Sequence, residues 1–202
     1  PAIGALERSF SKNPDTVIKY AEAFITAHRK FNILTTLKHF PGHGSALSDS
    51  HKGVTDITKT WSEYELKPFK SLINKNLADS VMVGHLFNRY LDKRYPATLS
   101  HKVIGNILRK QLGFAGVVIS DDLQMEALSK YYSMKEIVIK SVKAGCDILI
   151  FANYFNPDKH LPKKVISILK QAVKNNVVDK QNIENSYRKI MKLKEKIKSP
   201  AL

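Results

Sequence analysis

Apolar positions along the chain switch between two periods, and the order of the switches predicts the elements. In 14–31, Val17, Ala21, Phe24, Ile25 and His28 recur at helical spacing, behind Asn13 as an N-cap and Pro14 at the first helical position. The run 33–40 is short and rich in β-formers. Residues 61–73 put Leu66, Phe69 and Leu72 on one helical face, 80–85 reads as an apolar strand, and Ser100 is placed to cap a helix reaching about residue 112. Val117, Val118 and Ile119 fill a strand over 116–120; helices are expected over 123–131 and 134–143, a fourth strand over 147–151, and two helices after it. Continuous apolar strands separated by helices predict parallel strands buried on both faces. A closed (β/α)8 barrel needs eight strands and typically about 250 residues. Four strands in 202 residues therefore read as half of such a barrel or as a small open α/β sheet.

Composition narrows the function classes. Hydrophobic residues make up 43% and charged residues 25%, as in ordinary soluble domains. No apolar run approaches the roughly 20 residues a membrane-spanning helix needs, so no span is expected. The net charge of +15 raises a nucleic-acid partner. From residue 155 onward, however, 12 Lys and Arg face 4 Asp and Glu, and much of that segment reads as two amphipathic helices. Ile183, Tyr187, Ile190 and Ile197 mark an apolar stripe there, with lysines on the wet side. No aromatic side chains interleave with the lysines as a base-stacking platform, so no nucleic-acid partner is expected. The single cysteine, Cys146, lies in an apolar stretch and reads as a small buried hydrophobe.

Candidate chemistry gathers where the strands end. The first strand closes on Lys38 and His39, the second on His85, the third on Ser120, Asp121 and Asp122. Barrels and open α/β sheets both place their sites beyond the carboxyl ends of strands. Lys38-His39-Phe40-Pro41-Gly42-His43-Gly44 reads as a tight, pre-shaped loop, followed by Asp49-Ser50-His51. A carboxylate bonded to one imidazole nitrogen fixes the tautomer and leaves the other nitrogen to move protons. Taken alone, an Asp-x-His is more often a plain turn beside a surface histidine. His39, His43, Asp49 and His51 are zinc-compatible ligands, but no H-E-x-x-H or paired-cysteine spacing accompanies them, and no metal or other cofactor is expected. His85 is equally well a satisfied strand-end histidine or a ligand contact. Asp121 and Asp122 each fit either a nucleophile held by the strand or a cap on the next helix, and position alone does not separate them.

Two segments carry a family resemblance. Lys38-His39-Phe40-Pro41-Gly42-His43-Gly44, four residues, then Asp49-Ser50-His51 resembles the signature of the bacterial β-N-acetylglucosaminidases within the family 3 glycoside hydrolases. Gly113-Phe114-Ala115-Gly116-Val117-Val118-Ile119-Ser120-Asp121-Asp122 resembles the stretch holding that family's catalytic aspartate. Arg8-Ser9-Phe10-Ser11, Val81-Met82-Val83-Gly84-His85, Pro96-Ala97-Thr98-Leu99-Ser100 and Ala144-Gly145-Cys146-Asp147 match in the expected order.

The resemblance implies a retaining hydrolase that removes β-linked N-acetylglucosamine, usually from peptidoglycan fragments. Asp121 is expected as nucleophile, His51 as acid/base with Asp49 as its partner, and Arg8, Lys38, His39 and His85 as the substrate-binding set. A family 3 β-glycosidase or glycoside phosphorylase of other specificity, and a non-catalytic cell-wall sugar-binding domain, are the alternatives. The implied fold for 1–202 is the C-terminal half of a (β/α)8 barrel: four parallel strands with flanking helices and a basic helical tail from about 156. An N-terminal half, missing or present as a separate chain, would complete it. A cytoplasmic location is expected, with a periplasmic or secreted one as the alternative.

Overall fold

A computed structural model of the chain describes residues 3–47, 55–154 and 157–198. Its centre is a four-stranded, all-parallel sheet in the order β1 (Thr36–Phe40), β3 (Ser80–Val83), β5 (Val117–Asp122), β6 (Ile148–Ile150). Helices fill each crossover. α1 (Pro14–Arg29) precedes β1, and α2 (Lys67–Asn74) lies between β1 and β3. A π-helix, Lys102–Gln111, precedes β5; the short α3 (Glu126–Ser129) and α4 (Met134–Ala144) lead to β6. α5 (Leu161–Lys174) and α6 (Lys180–Lys198) close the chain.

Local chemistry explains most boundaries. Asn13 Oδ1 accepts the amides of Asp15 and Thr16, which satisfies orphan donors at the start of α1. Ser133 and Glu136 form a reciprocal capping box on α4, and Gly145, at φ 115°, ends it in the left-handed conformation that a side chain resists. The main core lies between sheet and helices. Phe40, Val81, Val83 and Val118 from the strands meet Phe69 of α2, Ile104 and Leu108 of the π-helix, and Cys146. Cys146 is 3% exposed, and burial pushes its thiol well above the usual range, in keeping with a small hydrophobe. A second cluster of Val142, Ala172 and Val178 seats the tail helices, so the basic C-terminal segment is packed onto the domain.

Four expectations change. The helix expected over 61–73 begins as a 3-10 turn, Glu63–Leu66, and becomes α2 at Lys67. Pro68 sits in the first turn, where its missing N–H costs nothing. The helix expected from Ser100 is a π-helix and closes its last turn from Leu112 N to Ile107 O, a five-residue step. The helix expected from 123 begins only at Glu126, so Asp122 does not cap it. A short parallel pair, β2 (Thr55–Asp56) with β4 (Leu86–Phe87), was not expected from the hydrophobic pattern.

Candidate active site

Two irregularities shape the C-terminal end of the sheet. Leu37 pairs with Val81 and Phe40 with Val83, so β1 uses three steps where β3 uses two. Ile119 pairs with Ile148 and Asp122 with Ile150, so β5 likewise carries one extra residue against β6. The first bulge contains Lys38 and His39, the second Ser120 and Asp121. A bulge re-aims side chains at a strand end, and both fall on the residues singled out for chemistry. In the second, the Ser120 hydroxyl accepts the Ile150 amide at 3.0 Å and so supplies the acceptor for it. The Lys38–His39 and Phe40–Pro41 peptides are both cis.

The two neighbouring carboxylates separate cleanly. Asp122 Oδ1 accepts the Gln124 amide at 3.1 Å and the Ala152 amide at 3.0 Å, tying the end of β5 to the chain after β6. Asp121 Oδ1 accepts only the Asp122 amide among the described residues, at 2.9 Å, while Oδ2 faces His39 Nε2 at 3.8 Å. Its side chain is 19% exposed, enough to be reached. Both keep Oδ2 without a hydrogen bond to the described residues, and Asp121 is the one whose Oδ2 faces the His39 ring.

His39 is the centre of the cluster. Burial lowers its pKa to about 4; Asp121 pulls the other way, and Lys38, His43 and Arg8 push it down further. The imidazole is therefore neutral at pH 7 and can offer a hydrogen bond without charge. The same interactions place Arg8, Lys38, His43 and Asp121 around one ring. His43 is 6% exposed and meets His39 edge-on, with centroids 5.6 Å apart. A cavity of about 620 Å3 opens beside β1, lined in its polar part by Arg8, Lys38, His39 and His43, and continues along the apolar seam between α1 and α2.

His85, one of the expected substrate-binding set, lies in the interior at the end of β3. It is 1% exposed, with Nδ1 2.9 Å from Thr98 Oγ1 and Nε2 2.8 Å from the Asp122 carbonyl. A carbonyl only accepts, so Nε2 donates to it and pins the backbone next to Asp121. The geometry matches the satisfied strand-end histidine. Asp49 and His51 lie outside the described residues. The chain on either side is fixed: Ala46 is buried with Ile57, Leu86 and Trp61, and β2 starts at Thr55.

Sequence reasoning passed over Glu65. It reaches across 20 residues to accept the Gly44 amide at 2.9 Å and the Ser45 hydroxyl, and its own burial raises its pKa while those donors lower it. No local spacing signals this role. Among the described residues no three His, Cys, Asp or Glu side chains gather as a metal site, and no helix is long and apolar enough to cross a membrane.

Residues 1–193 match the family model described as the glycosyl hydrolase family 3 N terminal domain. The chain belongs to glycosyl hydrolase family 3. It is 40% identical over 154 residues to a β-hexosaminidase of Photobacterium profundum, covering 75% of this chain and 45% of that protein. A β-hexosaminidase of Actinobacillus pleuropneumoniae serotype 3 is 38% identical over 171 residues, 83% of this chain and 47% of the relative. The chain thus spans about half the length of these curated relatives. Among solved family 3 structures, a β-N-acetylglucosaminidase from Paenibacillus sp. aligns with a TM-score of 0.84 at 31% identity, over 95% of this chain and 36% of that one. A β-N-acetylhexosaminidase from Beutenbergia cavernae aligns with a TM-score of 0.87 at 25% identity, over 96% of this chain and 57% of the other. The four parallel strands and their helices are accordingly the C-terminal part of the family 3 (β/α)8 barrel.

Proposed function

We propose that this family 3 chain carries the reaction centre of a retaining β-N-acetylhexosaminidase, with Asp121 as the nucleophile. The observation that carries the reading is the Asp121 carboxylate at the bulged end of β5, one oxygen held by the Asp122 amide and the other facing His39 in the ring of Arg8 and Lys38. In the first step an Asp121 oxygen attacks the anomeric carbon of a β-linked N-acetylglucosamine. The bond to the leaving oxygen breaks, and that oxygen takes a proton from His51. Water then attacks the same carbon, gives its proton to His51 and releases Asp121. Asp49 stabilises the imidazolium formed in that second step. Neutral imidazole is a competent base near pH 7, where an unperturbed carboxylate is a weak one. Arg8, Lys38 and His39 hold sugar hydroxyls, and the cationic surroundings suit an anionic glycan such as a peptidoglycan fragment.

Completion of the barrel is part of the proposal. β1 and β6 are open edges of the sheet, and Phe10 and Phe24 are about half exposed beside β1. With relatives about twice as long, these features support a further segment, on the same polypeptide or another, that supplies the remaining strands.

The test is intact mass spectrometry of the native protein after exposure to a fluorinated N-acetylglucosaminyl inactivator, followed by peptide mapping. One sugar adduct per protein on the peptide containing Asp121 is expected. An actively hydrolysing protein that acquires no adduct, or acquires it elsewhere, overturns the assignment.

A further inference from the structure

Asp121 is paired in register with neither β3 nor β6, so its direction depends on the residue beside it. Asp122 N–H donates to Asp121 Oδ1 at 2.9 Å, and Asp122 is itself tied down from both neighbouring strands. On the β6 side, Asp122 Oδ1 accepts the Ala152 amide at 3.0 Å, and Leu123 N–H donates to the Ile150 carbonyl at 2.9 Å. On the β3 side the backbone ladder stops short. Its last pair is Val83 with Ser120, and Gly84 N–H already turns to the Phe40 carbonyl of β1 at 3.0 Å. A side chain carries the connection onward. His85 Nε2 donates to the Asp122 carbonyl at 2.8 Å, which also accepts the Met125 amide at 3.1 Å. The ring is fixed in turn: Nδ1 lies 2.9 Å from Thr98 Oγ1, which sits 2.8 Å from the Gly84 carbonyl and 3.1 Å from that of Val83. His85 and Thr98 are both buried.

We infer that His85 is a positioning residue for the nucleophile: by tying the Asp122 carbonyl to β3 it fixes the amide that orients the Asp121 carboxylate. The inference rests on the reading of Asp121 as nucleophile given above. What it requires of residue 85 is an N–H donor at Nε2, because a carbonyl only accepts. Glutamine offers an amide N–H at similar reach, whereas leucine fills the space and offers none. His85→Leu strands no buried polar group, since Thr98 keeps the Gly84 and Val83 carbonyls and the Asp122 carbonyl keeps the Met125 amide. The variant is therefore expected to fold and to lose the tie alone. Misplacing a reacting group by about an ångström costs up to roughly a hundredfold in rate.

The test follows labelling of Asp121 in the native protein by a fluorinated N-acetylglucosaminyl inactivator with a good leaving group, read as a maximal rate and a half-saturating concentration. In His85→Leu the maximal rate is expected to fall roughly tenfold to a hundredfold, with the half-saturating concentration unchanged, because the groups that hold the sugar are untouched. His85→Gln is expected to regain most of the rate. Thr98→Val, which frees the ring but keeps its donor, should show a smaller loss of the same kind at a wild-type urea midpoint, and it decides the matter should His85→Leu not fold. A wild-type maximal rate in His85→Leu, or in Thr98→Val where that variant decides, overturns the inference. So does a glutamine variant as slow as the leucine one, since the hydrogen bond would then be irrelevant. A raised half-saturating concentration at unchanged maximal rate also overturns it and makes His85 a substrate contact. If the wild type hydrolyses substrate yet takes no label on Asp121, the nucleophile assignment itself fails and the inference falls with it.

Discussion

The two ends of the sheet treat their carboxylates in opposite ways. At the N-terminal end, Asp79 and Asp147 are sealed, with side chains 1% and 2% exposed, and every oxygen is engaged. Asp79 takes Arg29 at 2.8 Å, Lys196 at 3.2 Å and both the amide and hydroxyl of Thr35. Asp147 takes Arg109 at 2.7 Å, Lys189 at 3.0 Å, the Ser186 hydroxyl and the Val118 amide. At the C-terminal end, among the described residues, Asp121 has one backbone donor and a histidine too distant for a hydrogen bond. One end is saturated and ties crossover helices to strands; at the other, among the described residues, the Asp121 carboxylate is only partly engaged. Barrels divide stability and chemistry between their faces in this way.

Paired substitutions give the largest test of that contrast. Asp121→Asn is expected to lower turnover by about 10^4-fold or more while leaving the urea midpoint near the wild-type value. Asp147→Ala strands Arg109 and the Val118 amide in a buried site and is expected to cost about 3–5 kcal/mol of stability, with turnover per folded molecule unchanged. Urea titration and kinetics on both variants decide. A large stability loss in Asp121→Asn would break the division of labour.

Acid separates the ends next. His39 has a native pKa of about 4 against an ordinary value of 6.5, so the unfolded chain binds this proton first as pH falls. Its cost to stability is absent above pH 6.5 and grows down to about pH 4, reaching on the order of 3 kcal/mol. Burial opposes ionisation of Asp79, but the Thr35 amide, Arg29 and Lys196 outweigh it and hold the carboxyl below its ordinary 3.8. Its contribution is intact above that value and is lost only as pH falls through the lower native pKa. The site end should therefore weaken before the sealed end. Urea midpoints of the wild type and His39→Gln between pH 7 and 4 should converge as pH falls; parallel curves would remove His39 as the cause.

How much of this was legible in the sequence follows from the range of each interaction. α1 is announced by Asn13 and Pro14, and the apolar strands by their own residues, because caps and periodicity are local. The placing of Lys38, His39 and Asp121 at strand ends was equally legible. The bulges were not, since an extra residue in β1 or β5 exists only relative to the register of β3 or β6. Asp121 and Asp122 looked alike until the Ala152 amide, 30 residues away, engaged one of them. Glu65 resembled any helix-face glutamate, and His85 a ligand as much as a core group, until tertiary contacts fixed their partners. The positive tail read as a solvated face, and for most of its lysines the sequence holds nothing that says otherwise.

Lys196 gives the smallest effect and the finest test of that last point. It sits near the end of α6, 51% exposed, with its ammonium on Asp79, while Lys189 and Ser186, about two turns earlier, hold Asp147. α6 thus spans the sealed end from one buried aspartate to the other, using tail charge internally. Half-exposed ion pairs contribute little, about 0–1 kcal/mol, and Arg29 still neutralises Asp79 when Lys196 is gone. Lys196→Met is therefore expected to lower stability by less than about 1 kcal/mol, whereas Lys189→Met, at a pair only one-third exposed on the lysine side, should cost more. Neither should alter turnover, because neither touches the end where Asp121 sits. Equal effects from the two, or any change in turnover at constant folded fraction, would mean that α6 communicates with the open end of the sheet rather than bracing the closed one.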